Sequence, residues 1–231
     1  MRKRRILVVD DEPSVRTTVP AFMEKEGYEV NTAADGASAL RAARAFQPDV
    51  IVLDIMLPEM DGLEVLRRLR QESDVYVIML TAKAEETDKL IGLAVGADDY
   101  LTKPFSLREL EARVRTVLRR DRSAGGGGDR PLTFRRLRVD PGGRRVWKDD
   151  EPIDLTPIEF DLLLTLARHQ GRVMSREQLI EQVWGYDYYG AERVVDVHLS
   201  RIRKTIEDDV EEPSLIVTVR GAGYRFQDEP T

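Results

Sequence analysis

Apolar residues in the first half of the chain gather into short unbroken runs separated by segments of helical spacing. Ile6–Val9, Tyr28–Ala33, Val50–Leu53, Val75–Leu80 and Asp99–Leu101 read as strands, and 14–26, 36–46, 62–71, 85–95 and 107–120 read as helices. Strands that are apolar on both sides belong in a parallel sheet covered on both faces, so five βα units predict an α/β domain. Ser106 and Glu109 have capping-box spacing at the start of the last of these helices.

The second half has a different rhythm. Leu132–Val139, Arg144–Trp147 and Glu151–Leu155 are short alternating segments divided by Pro141-Gly142-Gly143 and Asp149-Asp150, which predicts antiparallel strands joined by tight turns. Two helix starts follow: Thr156-Pro157-Ile158-Glu159, with Pro at the first helical position, and Ser175-Arg176-Glu177-Gln178. A third helix spans 191–207, with Val195, Leu199, Ile202 and Ile206 on its apolar face. Leu215–Val219 and Tyr224–Phe226 then flank Arg220-Gly221-Ala222-Gly223 as a hairpin with Arg220 near its tip. An α+β unit is expected over 131–231.

Between the halves, Asp121 to Arg130 contains four consecutive glycines among charged residues and predicts a flexible tether over 121–130. Lys and Arg number 19 against 21 Asp and Glu in residues 1–120, and 17 against 21 in 121–231, so the halves carry −2 and −4. The absence of cysteine excludes disulfides and thiolate metal sites, and His169 and His198 alone cannot build an imidazole-rich zinc centre. Hard, oxygen-bound cations remain. Met1 to Arg5 begins like a signal peptide, but the apolar run after it lasts four residues, and no apolar stretch approaches ~20 residues. The expectation is a cytoplasmic protein with no membrane partner.

Chemistry collects where the first-half strands end. Ile6–Val9 runs into Asp10-Asp11, Val50–Leu53 into Asp54 and Val77–Leu80 into Thr81, with Lys103-Pro104 after the fifth strand. In an open parallel sheet these positions share the crevice outside the carboxyl ends of the strands. Singly, an aspartate after a strand is usually a cap or turn former; four such coincidences on successive units point to a site. Adjacent carboxylates call for a cation such as Mg²⁺. Phosphoryl transfer asks for in-line positioning and charge neutralisation, with Asp54 as attacking oxygen, Lys103 on the phosphoryl oxygens and Thr81 supplying a hydroxyl.

Asp10-Asp11, Asp54, Thr81, Tyr100 and Lys103-Pro104-Phe105 resemble the receiver domain of bacterial two-component response regulators over residues 4–120. The resemblance implies a flavodoxin-like doubly wound sheet of order 2-1-3-4-5. It implies an Asp54 phosphorylated by a sensor histidine kinase, Mg²⁺ held by Asp11, Asp54 and the backbone carbonyl of Met56, with Asp10 acting through water, and a cis Lys103–Pro104 bond. It further implies a Thr81 and Tyr100 switch, and a homodimer whose subunits pair Lys89 with Glu109 and Asp99 with Arg113. Met56 and Lys83 stand where receivers tune the acyl-phosphate lifetime. Activity would stop at weak Mg²⁺-dependent self-phosphorylation and self-dephosphorylation. A haloacid-dehalogenase-type phosphatase would carry a second aspartate two residues after the nucleophile, where this chain has Met56; a flavodoxin-like cofactor binder would carry a phosphate loop after Val9.

In the 191–207 helix, Arg193, Val197, Ser200 and Lys204 lie opposite the apolar face, with Arg201 on their flank. An outward Val beside Arg and Ser suits a major groove, with an apolar contact for the thymine methyl and donors for guanine and phosphate. His198 falls nearer the buried flank. Together with Leu155–Phe160 and Val219–Phe226, this helix looks like the winged helix-turn-helix effector of the OmpR/PhoB subfamily over 131–227. That implies binding to double-stranded promoter DNA through Arg193, Arg201, Arg203, Lys204 and the wing residue Arg220. It also implies RNA polymerase contact by the Trp184–Gly190 loop, where Tyr186, Tyr188 and Tyr189 could equally pack the loop.

Overall fold

A computed structural model describes residues 2–82, 96–124, 130–185, 188 and 192–229. The expected helix over 85–95, with Lys89, lies outside the described residues, as do Lys83, the glycines 125–128, Tyr186 and Tyr189. The chain divides into two compact units at Leu118/Arg119.

The first unit runs β1 (Arg5–Val9), α1 (Pro13–Lys25), β2 (Glu29–Ala33), α2 (Gly36–Phe46), β3 (Val50–Asp54), α3 (Gly62–Arg70), β4 (Tyr76–Ala82), β5 (Asp99–Lys103) and α4 (Leu107–Ala124). All strand pairs are parallel, in the order β2-β1-β3-β4-β5. Alternate residues of the central strands, Ile6, Val8, Val50, Val52, Ile78 and Leu80, join Val19 and Met23 of α1 and Leu110 and Val114 of α4 in one core. Leu7, Val9, Ile51 and Leu53, which point the other way, are equally inaccessible. Coverage on both faces explains why these runs are continuous rather than alternating.

α4 continues to Ala124 instead of stopping at 120. Residues 121–124 contain no glycine or proline, so nothing in the backbone stops the helix before Gly125.

The second unit holds an antiparallel sheet of β6 (Leu132–Thr133), β7 (Leu137–Asp140), β8 (Arg145–Lys148) and β9 (Glu151–Ile153) in that order. There follow α5 (Pro157–Arg168), β10 (Val173–Met174), α6 (Arg176–Val183), α7 (Arg193–Ile206), β11 (Ile216–Val219) and β12 (Gly223–Phe226), with β12 between β10 and β11 in a second sheet. The expected single strand over 132–139 is two strands folded back on each other, Thr133 facing Arg138. Phe134 N donates to Leu137 O at 2.8 Å, and the buried Asp228 carboxylate accepts both Arg136 N and Leu137 N at 2.9 Å. A carboxylate from the far end of the chain stabilises that turn. β10 has only two residues and hence no readable periodicity; it exists because β12 pairs with it.

The cap at α6 forms in both directions: Ser175 Oγ accepts Gln178 N and Gln178 Oε1 accepts Ser175 N. At α5 half of the expected box is made. Glu159 Oε2 accepts Thr156 N at 2.9 Å, while the Thr156 hydroxyl is buried without a hydrogen-bond partner.

Candidate functional site

Asp10, Asp54 and Thr81 are buried at the carboxyl ends of β1, β3 and β4. Register brings them together: β3 pairs Asp54 with Leu80, so Thr81 stands one residue beyond, and β5 pairs Lys103 with Ala82. Lys103 Nζ lies 2.5 Å from Asp54 Oδ2, 2.8 Å from Asp10 Oδ2 and 3.1 Å from Glu12 Oε1. The Lys103–Pro104 bond is cis.

Among the described residues, Asp10, Glu12 and Asp54 form the acidic group able to hold a metal ion, each offering an oxygen within 4.8 Å of the others. Asp11 stands outside that group, and Glu12, which the sequence reading passed over, joins it with its carboxylate 3.1 Å from Lys103. The signal was present as a third consecutive acidic residue. The Glu12 N–H donates to Asp10 Oδ1 at 2.9 Å, which fixes its main chain beside the pocket.

Among the described residues, the electrostatics follow from burial and from Lys103. Burial raises the Asp54 carboxyl above the ordinary aspartate value, against the lowering by Lys103 and by Met56 N, which donates to Asp54 Oδ1 at 3.1 Å. Burial also works against the Lys103 ammonium, but hydrogen bonds to Asp10, Asp54 and Glu12 outweigh it and hold its pKa above the usual lysine range. Met56 itself is 70% exposed at the rim.

Close packing fixes the floor of the pocket. Gly62 N donates to Ile55 O at 2.8 Å, and a Cβ on Gly62 would lie 2.0 Å from Asp54 O. Asp61 caps α3 by accepting Glu64 N at 2.8 Å, and the Gly62–Ile55 backbone bond joins the start of that helix to the end of β3.

Tyr100 is buried on β5, opposite Met79 of β4. Beside it, Asp99 Oδ2 accepts Arg113 Nη1 at 2.7 Å, and Glu109 Oε1 accepts Arg113 Nη2 at 3.0 Å, all within one chain.

In the second unit, α7 exposes Arg193, Ser200 and Lys204, with Val197 and Arg201 half-buried. Val194, Val195, His198, Leu199, Ile202 and Ile206 are buried, His198 against Trp184 at 5.8 Å between ring centroids. Trp184 also meets Tyr188 at 5.8 Å. Arg201 Nε lies 3.0 Å from Glu159 Oε1. Arg203 is turned to the wing: its Nη2 donates to Ile216 O at 2.6 Å and Thr218 Oγ1 at 2.8 Å, and its guanidinium rests over the Tyr224 ring. Burial lowers its pKa from the ordinary arginine value.

Asp196 joins the same assembly, accepting Arg176 Nε and Tyr224 Oη, both at 2.7 Å. α7, α6 and β12 are thereby tied together. Arg220 is exposed at the hairpin, whose Gly221 has φ +74°. Gly223 has φ +138°, and a Cβ there would lie 2.0 Å from Met174 O, so glycine permits β12 to seat on β10.

Two family descriptions match the chain: "Response regulator receiver domain" over residues 6–115 and "Transcriptional regulatory protein, C terminal" over 150–226. The alkaline phosphatase synthesis transcriptional regulatory protein PhoP of Bacillus subtilis (strain 168) is 45% identical over 233 residues, covering 97% of each chain. A solved structure of a RitR mutant aligns with TM-score 0.79 at 31% identity, covering 97% of this chain and 99% of that one. DrrB, an OmpR/PhoB homologue from Thermotoga maritima, aligns with TM-score 0.52 at 36% identity over 98% of this chain and all of the other.

Proposed function

Because the chain belongs to the response regulators that join a receiver to an OmpR/PhoB-type DNA-binding domain, we propose that Asp54 is its phosphoryl acceptor, loaded by a sensor histidine kinase. Its family regulates transcription, and the chain is a phosphorylation-activated transcriptional regulator. The observation that carries the acceptor reading is the Lys103 ammonium bridging Asp54 and Asp10 at the end of a parallel sheet, with Thr81 alongside.

An Asp54 carboxylate oxygen attacks phosphorus as the bond to the donor nitrogen breaks, leaving an acyl phosphate. The buried oxygen donors of Asp10 and Asp54 fit a hard divalent cation, and Asp10, Asp11, Asp54 and the Met56 carbonyl are the residues that, by the resemblance, would hold Mg²⁺. Mg²⁺, when bound, neutralises charge on the transferring phosphoryl oxygens. Lys103 shares that task, and the Thr81 hydroxyl gains an acceptor when the phosphoryl group arrives, drawing it toward Asp54. Tyr100 fills the space Thr81 leaves. The Asp99, Glu109 and Arg113 face, with Lys89, then supports a homodimer. Chemistry is limited to weak self-phosphorylation and self-dephosphorylation.

The second unit binds promoter DNA in the cytoplasm. Arg193, Val197, Ser200 and Arg201 face bases and nearby phosphates, Lys204 faces phosphate, and Arg220 enters the minor groove; Arg203 contributes by holding the wing. Since residues 121–231 carry −4, binding rests on this stripe and weakens steeply with salt. The Trp184–Gly190 loop is offered to RNA polymerase.

The test is to incubate the protein and its Asp54→Ala variant with Mg²⁺ and phosphoramidate or acetyl phosphate, following intact mass and sedimentation together. One added phosphoryl group on the wild type alone, with a shift toward dimer, is expected. No adduct from either donor would remove the acceptor reading, and an adduct without a change in sedimentation would remove the dimer.

A further inference from the structure

Among the described residues, Lys103 has three carboxylate partners, two of which lie in the floor of the pocket. Asp10 is fully inaccessible and the Asp54 side chain is 5% exposed, whereas the Glu12 side chain is 55% exposed at the mouth. Glu12 Oε1 nevertheless lies 3.1 Å from Lys103 Nζ. The Glu12 backbone is pinned at both ends of its peptide: its N–H donates to Asp10 Oδ1 at 2.9 Å and its carbonyl accepts Arg16 N at 3.2 Å. These bonds fix the Glu12 main chain, and the contact with Lys103 is made by the side chain.

Among the described residues, three carboxylates within 4.8 Å share the Lys103 ammonium. A phosphoryl group on Asp54 adds roughly −1.5 to −2 of charge in front of that ammonium. Of the three carboxylates, Glu12 is the one whose loss of Lys103 costs least, because water reaches it. Asp10 and Asp54 would be left charged and desolvated.

We infer that Glu12 is a positioning residue for phosphoryl acceptance: it holds the Lys103 ammonium toward the mouth of the bare pocket and yields it to the incoming phosphoryl oxygens. The inference rests on Asp54 being the acceptor. With phosphoramidate as donor, Asp54 oxygen bonds to phosphorus, the P–N bond breaks and ammonia departs with the proton its nitrogen already carries. Glu12 forms no bond to the donor. Its contact with Lys103 must be given up before the ammonium can meet the donor, so it raises the donor concentration needed without setting the rate of the transfer itself.

The experiment is a phosphoramidate titration at saturating Mg²⁺ on the full chain, read by intact mass, for wild type, Glu12→Gln, Lys103→Met and the double variant. Glu12→Gln is expected to lower the half-saturating phosphoramidate concentration about two- to fivefold, the scale of a partly exposed ion pair, with the limiting rate and thermal midpoint nearly unchanged. In the Lys103→Met background the same substitution should have no effect, because Glu12 acts through Lys103. An unchanged half-saturation in Glu12→Gln would overturn the inference. So would an equal effect with Lys103 absent, which would mean that Glu12 acts only as a charge. No adduct on wild type, matching an Asp54→Ala blank, would remove the acceptor reading and Glu12's role with it.

Discussion

Arg113 closes on Asp99 of its own chain at 2.7 Å, and both side chains are nearly inaccessible, at 6% and 4% exposure. The Asp99 carboxylate also accepts Tyr100 N at 2.8 Å. The two residues assigned by resemblance to an intersubunit pair thus satisfy each other inside one receiver. An intersubunit pair would require this one to open.

Arg113→Ala should therefore destabilise the receiver even as a monomer, because it leaves the Asp99 carboxylate buried without its cation. A loss of about 3 kcal/mol or more is expected. Both tryptophans, Trp147 and Trp184, lie in the second unit, so tryptophan fluorescence does not follow the receiver. Calorimetry should show the receiver transition falling at every protein concentration; a fall confined to high concentration would assign the pair to the dimer.

Asp54 makes a pH prediction. Burial raises its folded pKa above the unfolded value, so the folded state binds more protons between the two and stability falls as pH rises through that window. Asp54→Asn removes the cost. The variant should melt higher than wild type at neutral pH, with the gap closing below the ordinary carboxylate range. Lys103 has the opposite sign: its raised pKa contributes stability that is complete below the unfolded lysine value and lost as pH climbs through the folded one.

Gly62→Ala should damage the pocket without touching its chemistry. The added Cβ would lie 2.0 Å from Asp54 O, so the end of β3 or the start of α3 must shift. Overpacking of this kind costs about 1–3 kcal/mol, and phosphoramidate labelling of Asp54 should slow by about tenfold or more, since catalysis here depends on positioning. Labelling at the wild-type rate would show that the contact does not set Asp54's orientation.

Arg201→Ala and Lys204→Ala should separate in two measurements. Lys204 is exposed, and its loss should weaken specific and random duplexes alike and reduce the salt slope by about one. Arg201 lies 3.0 Å from the buried Glu159 carboxylate, so its loss should lower the melting point of the second unit, followed by tryptophan fluorescence, as well as relax sequence preference. Equal losses on both duplexes for Arg201→Ala would refute its base-reading role.

The element plan was legible because burial leaves a periodic trace. Val50–Leu53 is apolar at every position because the sheet is covered on both faces, and α7 shows its buried stripe because one side packs. Asp10, Asp54, Thr81 and Lys103 were legible for a related reason: strand ends in a parallel sheet converge by topology alone. Arg203's contact with the hairpin was not legible, because helical spacing fixes only the side of a Cα, and a long guanidinium can reach from there to Ile216 O. The two-residue β10 and the reversal between β6 and β7 left no periodic trace; each depends on a partner far along the chain, Tyr224 or Asp228.

By itself, the sequence determined the order and type of the longer described elements, the two-unit plan and the polar residues that end β1, β3, β4 and β5, since these follow from local spacing and from the direction the chain must run. Only the tertiary structure decided which charged groups meet. It put Glu12 on Lys103, Arg113 on Asp99 of the same chain and Arg203 on the β11–β12 hairpin. The physical reason is reach: several partners lie within the length of a lysine, arginine or glutamate side chain. The choice among them rests on burial and on backbone bonds that exist only once the strands are in register.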